Sequence, residues 1–204
     1  MYTIQAPPGH PGQPAVLIAC AFLDKPLTMD APDPDLQAPI LKAEDHTAHG
    51  TADILRYVAS HGGALPSTKL YPLELQGSID KWLQLAASCE AAALAWVEPF
   101  AAKADDAARE AAKSDVTTAL EQLKVDLMAG NEFLAGDLLT RIKVIRTARL
   151  GDSLTLADVA VAAALTPLFQ SVLGRQLQRH FAPVVDWLGR CQKLPQFEKA
   201  LGAE

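Results

Sequence analysis

Few side chains in this 204-residue chain combine the type and spacing that chemistry requires. His10 sits in Pro7-Pro-Gly-His-Pro-Gly-Gln13, a loop by composition, where an imidazole could donate a hydrogen bond or simply face solvent. His46 and His49 stand three apart, but no cysteine or further carboxylate cluster joins them, so a metal site is not expected. Thr51 opens a helical pattern, and the amides of a helix start suit an anion. The plainer role for its hydroxyl is that of an N-cap. Asp105-Asp106 and Arg109-Glu110 read as a solvated helix face. A phosphate-binding glycine loop, a dinucleotide fingerprint and a nucleophile elbow are all missing from the sequence. The most informative pair is Thr155 and Asp158. A Thr followed three residues later by an acid is a capping-box variant, in which hydroxyl and carboxylate each satisfy an orphan amide. Leu154 before the cap and Val159 after it are placed as a hydrophobic staple.

The elements that must position these groups fall into two parts. Tyr2–Ala6 reads as a strand, Ala15–Leu23 as a helix ended before Lys25-Pro26, and Leu27–Asp30 as a second strand. Between Asp30 and Pro39 there is room only for a turn. Ala38–Ala43 forms another extended piece, and Glu44–Gly50 is poor material for a fourth strand. Gly50–His61 reads as a helix with Ile54, Leu55 and Val58 on one face and Gly62-Gly63 as its stop. Residues 64–76 form a linker rich in proline and turn residues. From Gly77 the chain reads as helical, over Ser78–Trp96, Ala107–Met128, Asp152–Leu173, Gln176–Gln192 and Gln196–Leu201. The helix opened by Thr155 is almost wholly apolar from Ala157 to Leu173, which places it in the middle of a core.

Composition narrows the function classes. The net charge of −6 leaves no overall electrostatic footprint for free binding to nucleic acid or to an anionic membrane. Cys20, Cys89 and Cys191 are far apart in apolar helical surroundings, so buried reduced thiols are expected rather than a disulfide framework. The start lacks a basic region before an apolar run, and no stretch suits a membrane span. A cytoplasmic location is the expectation.

Two stretches carry a family resemblance. Phe133-Leu-Ala-Gly136 ahead of Thr155-Leu-Ala-Asp158 resembles the signature of the C-terminal helical domain of glutathione transferases. Val184–Gly202, with Trp187, Cys191, Pro195, Phe197, Leu201 and Gly202, resembles the ending of the transferase-like domains used in translation. Those are the gamma subunit of elongation factor 1 and the domain appended to valyl-tRNA synthetase. Phe169–Leu173 fits the same branch, and the match is specific over roughly residues 77–202. The resemblance implies an α+β to mostly α chain: a truncated thioredoxin-like part over residues 1–63, then a helical transferase-like domain over 77–204.

The resemblance also implies where glutathione would bind if that site is retained. Pro39 matches the proline that is cis in the family and presents its preceding backbone to the glutathione cysteinyl amide. Thr51 matches the Ser/Thr that holds the γ-glutamyl carboxylate, although Gly50 replaces the usual preceding acid. The residue that stabilises the thiolate should lie near the first helix, but residues 8–13 contain no Ser, Cys or Tyr, and only His10 could serve. No catalytic residue and no resident cofactor are therefore assigned, with glutathione kept as a candidate ligand. The function expected is a non-catalytic interaction module of translation. Its partners would be similar transferase-like proteins or a nucleotide-exchange subunit, with a second copy of the chain as a further candidate. The alternative is a glutathione-dependent transferase. Finally, Gly136-Asp-Leu-Leu-Thr140 and Gly151-Asp-Ser-Leu-Thr155 repeat one pattern, so residues 137–151 look like an insertion. Its Arg141, Lys143, Arg146 and Arg149 face one acid, Asp137, and could contact an acidic partner, or the segment could be an inert loop.

Overall fold

The first strand, β1, spans Tyr2–Gln5, with Ile4 fully buried between partly exposed neighbours. The computed structural model describes residues 1–61, 70–97, 104–129, 133–135 and 154–201. The basic segment 137–151, the Gly62-Gly63 stop and residues 64–69 of the linker lie outside the described residues. After β1 come helix α1 (Gln13–Phe22), β2 (Leu27–Met29), β3 (Ile40–Lys42), β4 (Thr47–His49) and α2 (Thr51–Ser60). The sheet order is β2-β1-β3-β4, with β2 parallel to β1 and both β3 and β4 antiparallel to their neighbours. This is a small thioredoxin-like arrangement, and no helix stands between Asp30 and Pro39, as expected.

The fourth strand corrects the expectation for Glu44–Gly50. Thr47, Ala48 and His49 pair with Lys42, Leu41 and Ile40, and the Ala43 amide donates to the His46 carbonyl across the turn. The segment has poor strand propensity, but strand formation depends on context. Here Ala48 is buried opposite the fully buried Leu41, and ladder hydrogen bonds supply what propensity does not.

The rest is helical: a 3-10 turn at Leu73–Leu75, then α3 (Gln76–Trp96), α4 (Asp106–Met128), α5 (Leu156–Ser171), α6 (Arg175–His180), α7 (Ala182–Gln192) and α8 (Pro195–Leu201). Asp105 is exposed, as expected of a solvated face, and it also caps α4 by accepting the Ala108 amide at 2.7 Å. The expected single helix Gln176–Gln192 is broken at Phe181 into α6 and α7. Pro183 explains the break, since it lacks an amide proton and its ring would crowd the carbonyl four residues earlier. Trp187, Cys191 and Phe197 are all fully buried, and the three cysteines are free and buried.

Helix α5 is the centre of the molecule. Every residue from Leu156 to Thr166 is buried, and α5 packs most extensively on α3, with further contacts to α1, α2 and α7. Alanines at 157, 160, 162, 163 and 164 keep its profile narrow, so neighbours approach closely. The core is one continuous cluster running from Ile4 and Leu41 of the sheet to Phe197 of the last helix. Arg56 of α2 adds a polar tie to α3, donating through Nε to Asp80 at 2.8 Å, and the Tyr71 hydroxyl donates to the same carboxylate at 2.9 Å.

The start of α5 is a buried polar junction. The Ala157 amide donates to Thr155 Oγ1 at 3.2 Å, and the Thr155 amide donates to Asp158 Oδ2 at 3.0 Å. Both arms of the capping box are present. Asp158 reaches further than a cap requires. Its Oδ2 also accepts the Thr155 hydroxyl, and its Oδ1 accepts the Leu134 amide at 2.9 Å and the Trp187 indole N–H at 3.1 Å. Burial pushes this carboxyl above the ordinary carboxylate range, against the pull of those hydrogen bonds.

Two substitutions separate the local cap from the longer-range bonds. Thr155→Ala should cost about 0.5–2 kcal/mol, the usual range for a lost cap. Asp158→Ala leaves the buried donors of Leu134, Thr155 and Trp187 without partners, and should cost about 3 kcal/mol or more at roughly 1–3 kcal/mol per donor. Urea midpoints check both values, and equal small losses would confine the energy to the local cap.

Candidate functional site

A cleft of about 290 Å³ opens where the starts of α1 and α2 meet the middle of α3. Its lining includes His10, Ala38, Thr51, Ala87, Glu90 and Leu94. Three local features shape it. The Gly50 amide donates to the Pro39 carbonyl at 2.8 Å, which holds the start of α2 against the turn before β3. Gly50 has φ 78°, a conformation that favours glycine, and serves as the N-cap of α2 without a side-chain bond. Thr51 is consequently the first residue of the helix, and its hydroxyl does not cap it. That corrects the plain N-cap role.

The Thr51 hydroxyl instead donates to Glu90 Oε2 of α3 at 2.8 Å. Glu90 is only 8% exposed, and burial pushes its pKa from 4.5 up to about 7, with the Thr51 hydrogen bond pulling the other way. The backbone of Gly12, at the start of α1, lies against this pair. A Cβ at Gly12 would overlap Thr51 Oγ1 and come within 2.9 Å of Glu90 Oε2. Glycine is thus required by close approach, with three elements converging on one hydrogen bond.

His10 is also not solvated. It is 4% exposed, and its Nδ1 accepts the Gly12 amide at 3.1 Å, which leaves the proton on Nε2 in the neutral ring. Burial lowers its pKa, so it stays neutral at physiological pH. The structure therefore brings His10, Thr51 and Ala38, next to Pro39, to one cleft. His46 and His49 do not converge on a metal. His46 stacks on Tyr57 at 4.4 Å while His49 lines the cleft, and the described residues contain no His, Cys, Asp and Glu cluster of metal-binding size. Arg141, Lys143, Arg146 and Arg149 lie outside the described residues.

Glu90 is the residue that sequence reasoning missed. A signal was present. It is the only charged residue between Lys81 and Glu98, and it falls four residues after Ala86 on the apolar stripe of α3. A carboxylate on a core-facing stripe requires a partner or a purpose.

No family model matches the chain, and no curated protein sequence matches it. Solved structures do. The chain aligns with glutathione S-transferase III in its apo form at a TM-score of 0.74 and 21% identity, over 99% of this chain and 96% of that one. The chain has the glutathione transferase fold. The theta-class transferase of Xanthomonas axonopodis pv. citri aligns at a TM-score of 0.74 and 16% identity, covering 100% of this chain and 97% of that one. A glutathione S-transferase from Methylobacillus flagellatus, solved with glutathione bound, aligns at 0.72 and 16%, with 98% of each chain covered. In this chain the cleft lies between the start of α2 and the middle of α3.

The Glu90 carboxyl ties stability to pH. Its folded pKa lies above its unfolded value, so the folded state holds the proton longer and stability falls as pH rises from about 4.5 through about 7. The loss is on the order of 3 kcal/mol at about 1.4 kcal/mol per pKa unit. Glu90→Gln keeps the shape and removes the charge. It should match the wild type near pH 4.5 and exceed it at pH 8 in thermal or urea unfolding. A constant stability difference across that range would mean that Glu90 is not the titrating group.

Proposed function

We propose that this chain is a non-catalytic module with the glutathione transferase fold that docks onto other proteins of the translation machinery. The observation that carries the loss of catalysis is the Thr51–Glu90 hydrogen bond. By the family resemblance, Thr51 is the group that would hold the γ-glutamyl carboxylate of glutathione. Here its proton is committed to a carboxylate of the chain itself, and that carboxylate sits in the same cleft. Above about pH 7, where Glu90 is ionised, an incoming carboxylate would meet like charge where the family offers a donor. The absence of Ser, Cys and Tyr from residues 8–13 supports the same reading, because no hydroxyl or thiol there can stabilise a thiolate. The assignment to translation rests on the resemblance of residues 184–202 to the elongation-factor and synthetase-appended domains.

A second reading, a glutathione-dependent transferase, is favoured by the solved relatives, which are named glutathione transferases. One feature of the cleft also suits it. The buried His10 keeps Nε2–H free of its Gly12 contact, and that proton could be donated to a thiolate.

Glutathione-agarose and a chloronitrobenzene assay separate the two readings. The docking module should pass through the column and show no glutathione-dependent rate. Retention, elution by free glutathione and a rate abolished by His10→Ala would establish the enzyme instead. Proteins co-purified from the native organism and identified by mass spectrometry should include translation factors or synthetases. The basic segment supplies a further check. Changing Arg141, Lys143, Arg146 and Arg149 together to Gln should weaken recovery of an acidic partner at low salt, leave the melting temperature unchanged and matter less as salt rises. Equal recovery by both proteins at low salt would make the segment an inert loop.

A further inference from the structure

Strand β2 lies at one end of the sheet, and its outer main chain is unpaired among the described residues. The Tyr2 amide donates to the Pro26 carbonyl at 3.4 Å, and the Asp30 amide donates to the Ile4 carbonyl at 2.9 Å. Main-chain groups alternate sides along a strand, so Pro26, Thr28 and Asp30 turn theirs toward β1. The amides and carbonyls of Leu27 and Met29 therefore point away from the sheet. Nearby side chains leave them open, since Thr28 is exposed and Met29 is 43% exposed. The strand itself, Leu27-Thr-Met29, has neither the lysine nor the proline that blunts an edge from within.

Charge decides what such an edge accepts. Residues 24–36 hold Asp24, Asp30, Asp33 and Asp35 against Lys25 alone. Asp24 and Lys25 stand at the start of β2, beside a groove that also holds Lys199, so the excess of acid lies at the far end. There Asp30 directly follows Met29. The Asp33 amide donates to the Ala6 carbonyl at 3.2 Å, which keeps the acidic turn next to the end of β1. Asp33 Oδ1 accepts the Asp35 amide at 3.0 Å and fixes the shape of that turn. Among the described residues no ion pair joins Asp30, Asp33 or Asp35 to a base.

We propose that the open edge of β2 binds an extended, basic segment of a partner protein as an added strand. Main-chain bonds to Leu27 and Met29 supply the pairing, and lysine or arginine side chains running past Met29 meet the three aspartates. A second copy of this chain suits the edge less well, because its own edge brings the same excess of acid and each chain carries −6. Pro26 and Pro32 bracket the strip and keep the added pairing short. None of residues 24–36 lines the cleft at α2, so the inference stands whether or not glutathione binds there.

The test uses the full chain and three labelled heptapeptides, acetylated and amidated: alternating lysine and valine, alternating glutamate and valine, and alternating lysine and proline. The last keeps the charge of the first but loses every second amide proton. Fluorescence anisotropy should show saturable binding of the lysine–valine peptide, at least tenfold tighter than either of the others. Amide hydrogen exchange at Leu27 and Met29 should slow when that peptide is bound. Met29→Pro removes an outward amide while sparing the bonds to β1, and should abolish tight binding. Asp30→Asn combined with Asp35→Asn leaves the main chain alone, and should weaken binding at least fivefold and flatten its salt dependence. If Met29→Pro does not fold, the peptide comparison and the aspartate variants decide. Equal binding of the lysine–valine and lysine–proline peptides would reduce the surface to charge alone and overturn the proposal. Unchanged exchange at Leu27 and Met29, or full affinity in the double aspartate variant, would overturn it too. So would a dimer in ultracentrifugation that Met29→Pro dissolves, because the edge would then belong to a second copy.

Discussion

A single buried carboxylate orders the helical half. Helix α5 is apolar on every side, so no amphipathic stripe tells it which face to turn toward which neighbour. Its orientation must come from directional bonds, and Asp158 provides them. One oxygen closes the cap on Thr155, and the other accepts from the Leu134 amide and the Trp187 indole. These fix the start of α5 relative to α7 and to the segment after α4 in the same step. Burial makes the arrangement all or none, because each donor would be stranded without the carboxylate.

The cleft inherits its geometry from that arrangement. Helix α3 lies along α5 for most of its length, so the height at which Glu90 meets α2 is set by packing on the central helix. Glu90 then faces Thr51, and both face the backbone of Gly12 with no space for a side chain. Stability and site chemistry pull in opposite directions at this point. Burying a carboxyl costs free energy once it ionises, yet the same burial gives a charge in the cleft its strength.

What could be read from the sequence follows the range of the interactions. The capping box was legible because Thr155 and Asp158 are three residues apart and obey a local rule. The Leu134 and Trp187 bonds to the same carboxylate, 24 and 29 residues away, leave no local trace. The helices were legible from their apolar periodicity, and the break at Phe181 was written in Pro183 although periodicity ran through it. Strand β4 was not legible, because pairing with β3 and the burial of Ala48 overrode weak propensity. In the cleft, Thr51 and His10 could be named from the resemblance, as could Pro39 beside it, but not the orientation of Thr51, which depends on Glu90 39 residues away. The solved relatives bear on the fold alone at this level of identity, so the translation assignment still stands on sequence resemblance.

The crowding at Gly12 also constrains the paths along which this sequence can drift. Any replacement there, serine included, would drive its Cβ into the Thr51 hydroxyl and toward Glu90. A hydroxyl at that position is therefore closed to the chain by a single exchange, and becomes accessible only after the Thr51–Glu90 pair has been trimmed. Trimming the pair first would discard the contact that joins α2 to α3 at the cleft floor. The order of steps thus acts as a ratchet, and the present arrangement is easier to elaborate than to reverse.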